Sequence, residues 1–132
     1  MGQNTIPINA SYSQEQAKET AKLVLFILGE RDAHLKEHSQ RVADGCSNFC
    51  EAFEILSGQG LHNIYLAGLL HDCGYISVPS HPFEGEAEDS TEVMLSLKKH
   101  PVAGVNILSK HRGFSDILPL VRHHHEAFDG SG

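Results

Sequence analysis

Residues 66–70 read Leu-Ala-Gly-Leu-Leu, the pattern of a buried helix, and then His71 and Asp72 arrive side by side. Burying an imidazole and a carboxylate costs stability unless both find partners. Gly74 and Pro79 follow closely, so the helix ends there. Any fold open to this chain must therefore deliver partners to the end of one core helix.

The partners are sought among ten histidines. His38 lies on the stripe Leu35–His38–Val42, and His34 precedes it by one turn on the same face. His71 keeps step with Ile64 and Ala67, and Asp72 with Tyr65 and Leu69. His100 follows Val93 and Leu97, His124 follows Ile117 and Leu120, and His125 follows Leu118 and Val121. Each stands where a 3.6-residue period reserves an apolar side chain. One such residue is ordinarily a core histidine bonded to a carbonyl. Several helices doing this at once suit a cluster of divalent transition metals inside a helical bundle. The other histidines read differently. His111 reads as a cap at a helix end, where a cation complements the dipole, His62 and His81 as exposed in or beside loops, and His123 as pointing away from His124 and His125.

The helical pattern divides the chain. Residues 1–12 read as a loose leader and 13–132 as one domain. Ser13 and Gln16 suggest a capping box opening a first helix to about residue 30, with Ala17, Ala21, Val24, Leu25 and Leu28 inward. A second helix from about Asp32 turns Leu35, Val42, Cys46, Phe49, Phe53 and Leu56 inward, until "SGQG" (57–60) breaks it. A third starts at Leu61 or His62. Residues 76–90 read as a loop whose acidic part, 84–89, is a solvated surface. Further helices follow over 91–99, from Pro101 to Gly113, and as one closing helix over 114–128. Strand signals are weak, so the expectation is an all-α bundle of five to seven helices.

Composition limits the partners. A formal net charge of −7 lacks the basic footprint of a nucleic-acid binder, although phosphate chemistry supported by bound cations stays open. Three cysteines without a C-x-x-C pair argue against a disulfide framework or thiolate zinc site and suit a reducing cytoplasm. Cys46 and Cys50 read as core packing. There is no signal-peptide pattern at the start, and no apolar run of about 18 residues that would span a membrane.

Four blocks, "EHSQRV" (37–42), "LLHDCGYISVP" (69–79), "LKKHPVAGVNIL" (97–108) and "HHEAFDGSG" (124–132), resemble in order and spacing the HD-GYP branch of the HD superfamily. The resemblance runs from about residue 23 to 132. It implies an HD-domain helical bundle that acts as a bacterial phosphodiesterase opening cyclic di-GMP, with metal-activated water attacking the phosphodiester. It also implies two divalent metals, iron or manganese. His38, His71 and Asp72 would hold one, and Asp72 would bridge to a second held by His100, His124 and His125. His34 is a candidate ligand for an additional metal. The partner implied is a cyclic dinucleotide messenger, with a signalling protein as a further partner.

Two departures from that pattern predict an impaired site. Tyr75 stands where the resemblance calls for a lysine on the scissile phosphate. The sequence ends at Gly132, inside what would be an Asp-Gly-x-Gly-Tyr-Pro motif and before a final aspartate ligand. Asp72 and Tyr75 are the candidate catalytic residues. The alternative is a degenerate, non-catalytic domain with a regulatory or protein-interaction role.

Overall fold

The computed structural model describes residues 10–78 and 91–132. Residues 1–9 of the expected leader, His81 and the acidic 84–89 stretch lie outside them. The described residues form six α-helices and two short 3-10 helices, with no strand among them, as the helical periodicity predicts.

Helix α1 (Ala10–Arg31) turns Ala17, Ala21, Leu25 and Leu28 into the core, with Val24 packed beside them. It begins before the expected capping box, so Ser13 lies within it and residues 10–12 are helical. No glycine or proline at 10–12 forces the chain out of the helix there. Helix α2 (Ala33–Ala52) starts where expected. The Asp32 carboxylate accepts from the backbone N–H of His34 at 2.8 Å and of Leu35 at 3.4 Å, which is an N-cap.

The far end of α2 departs from expectation. Glu54 takes a left-handed φ of 52°, so the helix stops at Ala52 instead of running to Leu56. Phe49, Phe53 and Leu56 are exposed, and the two phenylalanines tilt against each other with ring centroids 4.7 Å apart. Cys46 and Cys50 are only half-buried.

Helix α3 (Gln59–Leu70) starts two residues early and buries Leu66, Leu69 and Leu70. His62 therefore sits within the helix, where it shares a small polar pocket with α1 residues Gln14 and Ala17. It is buried, not exposed as expected, and its Nδ1 has no partner among the described residues. Helices α2 and α3 cross closely at Gly68, where a Cβ would stand 2.6 Å from the Ala43 Cα. A glycine is required there for the same reason that small residues mark other tight crossings.

After α3 the chain forms a 3-10 helix, Cys73–Ile76. Gly74 packs directly on the start of α5, so closely that a Cβ would overlap the backbone carbonyl of His100. Helix α4 (Thr91–Leu97) precedes α5 (His100–Leu108), which has Pro101 in its first turn. Helix α5 stops at Leu108 rather than Gly113. Gly113 instead belongs to a second 3-10 helix, Arg112–Ile117. His111 caps that helix by accepting from the Gly113 N–H at 3.0 Å. It therefore caps as expected, but by accepting at the start of the following 3-10 helix rather than by complementing the end of α5. The expected single closing helix is divided, because Pro119 lacks an N–H and begins a separate α6 (Leu118–His123). Phe114, Ile117 and Val121 complete the core. No helix of the described residues is long and apolar enough to cross a membrane.

Candidate metal centre

The end of α3, the start of α5 and the end of α6 converge on Asp72. His71 is the residue on which α3 ends, His100 opens α5, and His124 follows the last residue of α6. In each, the ring Nδ1 meets the backbone carbonyl three residues earlier: Gly68 at 2.7 Å, Leu97 at 2.6 Å and Val121 at 2.7 Å. A carbonyl only accepts, so Nδ1 carries the proton and the neutral ring offers its Nε2 lone pair. The helix ends thus fix both the tautomer and the direction of three imidazoles.

Those Nε2 atoms face the two oxygens of one carboxylate. Asp72 Oδ2 lies 3.1 Å from His71 Nε2 and 3.7 Å from His38 Nε2. Asp72 Oδ1 lies 3.2 Å from His100 Nε2 and 3.5 Å from His124 Nε2. The Nε2 atoms of His100 and His124 are themselves 3.1 Å apart. With the Nδ1 of His71, His100 and His124 already the donor, their Nε2 lone pairs face carboxylate lone pairs, and only protons or cations between them remove the repulsion. Three imidazolium rings around one carboxylate would leave excess positive charge beside two buried groups, Asp72 and His100. Imidazole and carboxylate donors aimed at common points fit divalent transition metals better.

The donors fall into two groups. Ligating atoms of Asp72, His100, His124 and His125 lie within 4.8 Å of one another, as do those of His38, His71 and Asp72. Asp72 belongs to both. Every residue of the expected ligand set is thus gathered except His34, which stands exposed in the first turn of α2 and belongs to neither group.

The electrostatics follow from this crowding. Burial alone would raise the Asp72 carboxyl, but wherever protons sit on the facing Nε2 atoms, hydrogen bonds from His100, His124 and His71 outweigh it and hold the group far below the usual carboxylate range. Burial lowers His71, yet its bond and charge interaction with Asp72 and the Gly68 carbonyl raise it overall. His125 is lowered, by burial first and then by the neighbouring His124 and His100. Cys73 is fully buried, and burial together with the Asp72 charge pushes its thiol up to about 12, so it stays protonated and unreactive.

Tyr75 lies against one member of the donor cluster. Its ring stacks on His100, centroids 4.1 Å apart and planes 14° from parallel. Burial, then the Asp72 charge, raises its hydroxyl above the ordinary phenol value, so it is neutral at physiological pH.

The model of the HD domain family matches residues 35–131. This chain belongs to the HD domain family. The matched span contains both donor groups of this HD domain and leaves His34 just outside. The chain is similar to the 3'3'-cGAMP-specific phosphodiesterase 1 of Vibrio cholerae serotype O1, with 26% identity over 136 residues covering 100% of this chain and 31% of that protein. It is also similar to the cyclic di-GMP phosphodiesterase response regulator RpfG of Xanthomonas campestris pv. campestris, with 27% identity over 121 residues, 90% of this chain and 32% of that protein. The chain spans about a third of the length of these curated relatives. No solved structure gives a significant match.

Residue patterning missed three parts of this site. Arg31, at the end of α1, donates to the carbonyls of Ile76 (3.0 Å) and Val78, strapping down the segment after the His-Asp pair. Gly74 permits the contact that carries Asp72 toward His100. A pocket beside His100 and His125 takes Lys98 and Arg122 into its lining. The Arg31 contact spans 45 residues, and helical periodicity is silent at that range. The glycine of "HDCG" was the one visible hint of close packing.

Proposed function

We propose that this HD domain is a metal-dependent phosphodiesterase of the HD-GYP type, acting on a cyclic dinucleotide in the bacterial cytoplasm. The observation that carries the reading is Asp72, whose two carboxylate oxygens each face a separate pair of imidazole Nε2 atoms. That is the arrangement of a carboxylate shared between two cations. His38 and His71 would serve one metal, and His100, His124 and His125 the other, with iron or manganese as the ions. Divalent cations bound there would supply activated water and neutralise charge on the phosphodiester.

The chain's own part is positional. Gly68, Leu97 and Val121 carbonyls orient the rings before any ligand arrives, so little reorganisation is left for binding. Cys73, held as a thiol, does not compete as a nucleophile. The names of the two relatives support a cyclic dinucleotide as substrate, and three free cysteines suit a reducing compartment.

Turnover is reduced by Tyr75. A neutral phenol stacked on His100 offers no cation to the phosphate, and loss of one such contact costs roughly 10²–10³ in rate. The test is metal content of anaerobically purified protein, followed by hydrolysis of cyclic di-GMP and 3'3'-cGAMP with added iron or manganese. About two metals per chain, with slow conversion to the linear dinucleotide that Tyr75→Lys accelerates, is the expected result. Metal-loaded protein that cleaves neither substrate, with or without Tyr75→Lys, overturns the enzymatic reading in favour of a regulatory domain.

A further inference from the structure

A pocket of about 680 Å³ opens beside the donor cluster, and His100 and His125 belong to both. Its volume is that of a small-molecule site. Tyr75 forms one wall, backed by its stack on His100. Met94 and Val102, both about half exposed, supply apolar surface at its edge. Two cations also line it: Lys98, from the turn between α4 and α5, and Arg122, from the last turn of α6.

The cations are not accounted for by the fold. Arg122 does complement the C-terminal dipole of α6, but that does not explain why Lys98 from another segment lines the same pocket. Neither forms an ion pair with the described residues. Glu126 is the one acid among the lining residues described, and it is held 2.6 Å from His123 Nδ1. In a chain of net charge −7, two cations facing an apolar pocket create a local attraction for anions.

We propose that Lys98 and Arg122 bind a second phosphate of the substrate, while the phosphate to be cleaved lies at the Asp72 cluster. The inference rests on the phosphodiesterase reading above and narrows it. A ligand satisfying both places carries two separate phosphates and a flat group beside them, which describes a dinucleotide and excludes a simple phosphomonoester. Tyr75, Met94 and Val102 then meet a base, and the two cations replace the positive charge that a neutral Tyr75 does not supply.

The test is calorimetric titration of the manganese-loaded protein with a hydrolysis-resistant phosphorothioate analogue of cyclic di-GMP, and separately with inorganic phosphate. Lys98 and Arg122 are both exposed, so alanine leaves the fold and the metal content intact. Lys98→Ala and Arg122→Ala each weaken binding of the analogue about tenfold, in keeping with one lost charge-assisted hydrogen bond. The double variant loses at least about 30-fold, Arg122→Lys recovers part of the loss, and affinity for inorganic phosphate stays within about twofold. Unchanged affinity of the double variant for the analogue overturns the proposal and leaves the phosphodiesterase reading standing. An equal loss for inorganic phosphate also overturns it, because the pair would then act on the phosphate at the metals. Wild-type protein that binds metal and phosphate but not the analogue overturns the dinucleotide reading itself, and this inference with it.

Discussion

On the Oδ2 side of Asp72 stand His38 and His71; on the Oδ1 side stand His100 and His124, with His125 beside them. The His38 side chain is 48% exposed and projects from the second turn of α2 without a carbonyl lock, whereas His100 is 3% exposed and locked to Leu97. Both rings nearest Oδ1 are locked, but only one of the two nearest Oδ2 is. The centre is therefore unequally preorganised. The two rings nearest Oδ1 are both locked, with the exposed His125 beside them, whereas the pair at Oδ2 is completed only by an exposed, unlocked side chain that must give up rotamer freedom to bind.

Removing the shared carboxylate has the largest expected effect. Asp72→Asn keeps the shape but removes the charge that both halves use. Metal content by elemental analysis is expected to fall from about two per chain to near zero, with activity down by at least about 10³. Retention of one metal would show that one half stands without Asp72. Single deletions then sharpen the comparison. His100→Ala is expected to lower metal affinity by more than about 100-fold and His38→Ala by about tenfold, both read by competition with a chelator. Equal losses would refute the asymmetry.

Arg31 serves both halves, since it holds the segment following the His-Asp pair through the carbonyls of Ile76 and Val78. Arg31→Ala is expected to cost about 1–2 kcal/mol in denaturant unfolding and to loosen both halves alike. A loss confined to one half would mean the strap orients only that side.

The smallest effect concerns a buried histidine outside the centre. His62 lies at the other end of the helix that delivers His71, with no partner for its Nδ1 among the described residues. Burial, and then the charge of Lys18, lowers its pKa below 6.5. The unfolded chain therefore binds a proton more readily. The contribution of His62 is least unfavourable above about pH 6.5 and worsens as pH falls through that value and toward the folded pKa. His62→Leu is expected to reduce the drop in Tm between pH 7.5 and 5.5, measured on metal-free protein against wild type. An unchanged slope would show that His62 does not titrate with folding.

Much of the centre was legible in the sequence. Helical phase together with the resemblance to HD-GYP proteins marked His38, His71, Asp72, His100, His124 and His125, and the structure gathers them in two groups that share Asp72, although Asp72, His124 and His125 lie just past helix ends. The errors lie where a local pattern meets a tertiary decision. Phe49 and Phe53 have helical spacing, yet α2 ends early and leaves them exposed. His62 was read as exposed because α3 begins two residues before its apolar pattern does. The length of the closing helix was misjudged although Pro119 was visible, because a proline near a helix start and one at a break read alike.

The helical class follows from the sequence alone, because a 3.6-residue period is a local property, whereas the candidate donors came from that period together with the resemblance to the HD-GYP pattern. Even the carbonyl locks follow locally, each ring reaching three residues back along its own chain. Only the tertiary structure decided which oxygen of Asp72 meets which ring, that Tyr75 stacks on His100, and that Lys98 and Arg122 share a pocket. Those outcomes depend on how closely segments far apart in sequence approach. Gly68 against Ala43 and Gly74 against the His100 carbonyl set that distance, and backbone contact between distant segments leaves no periodic trace in the chain.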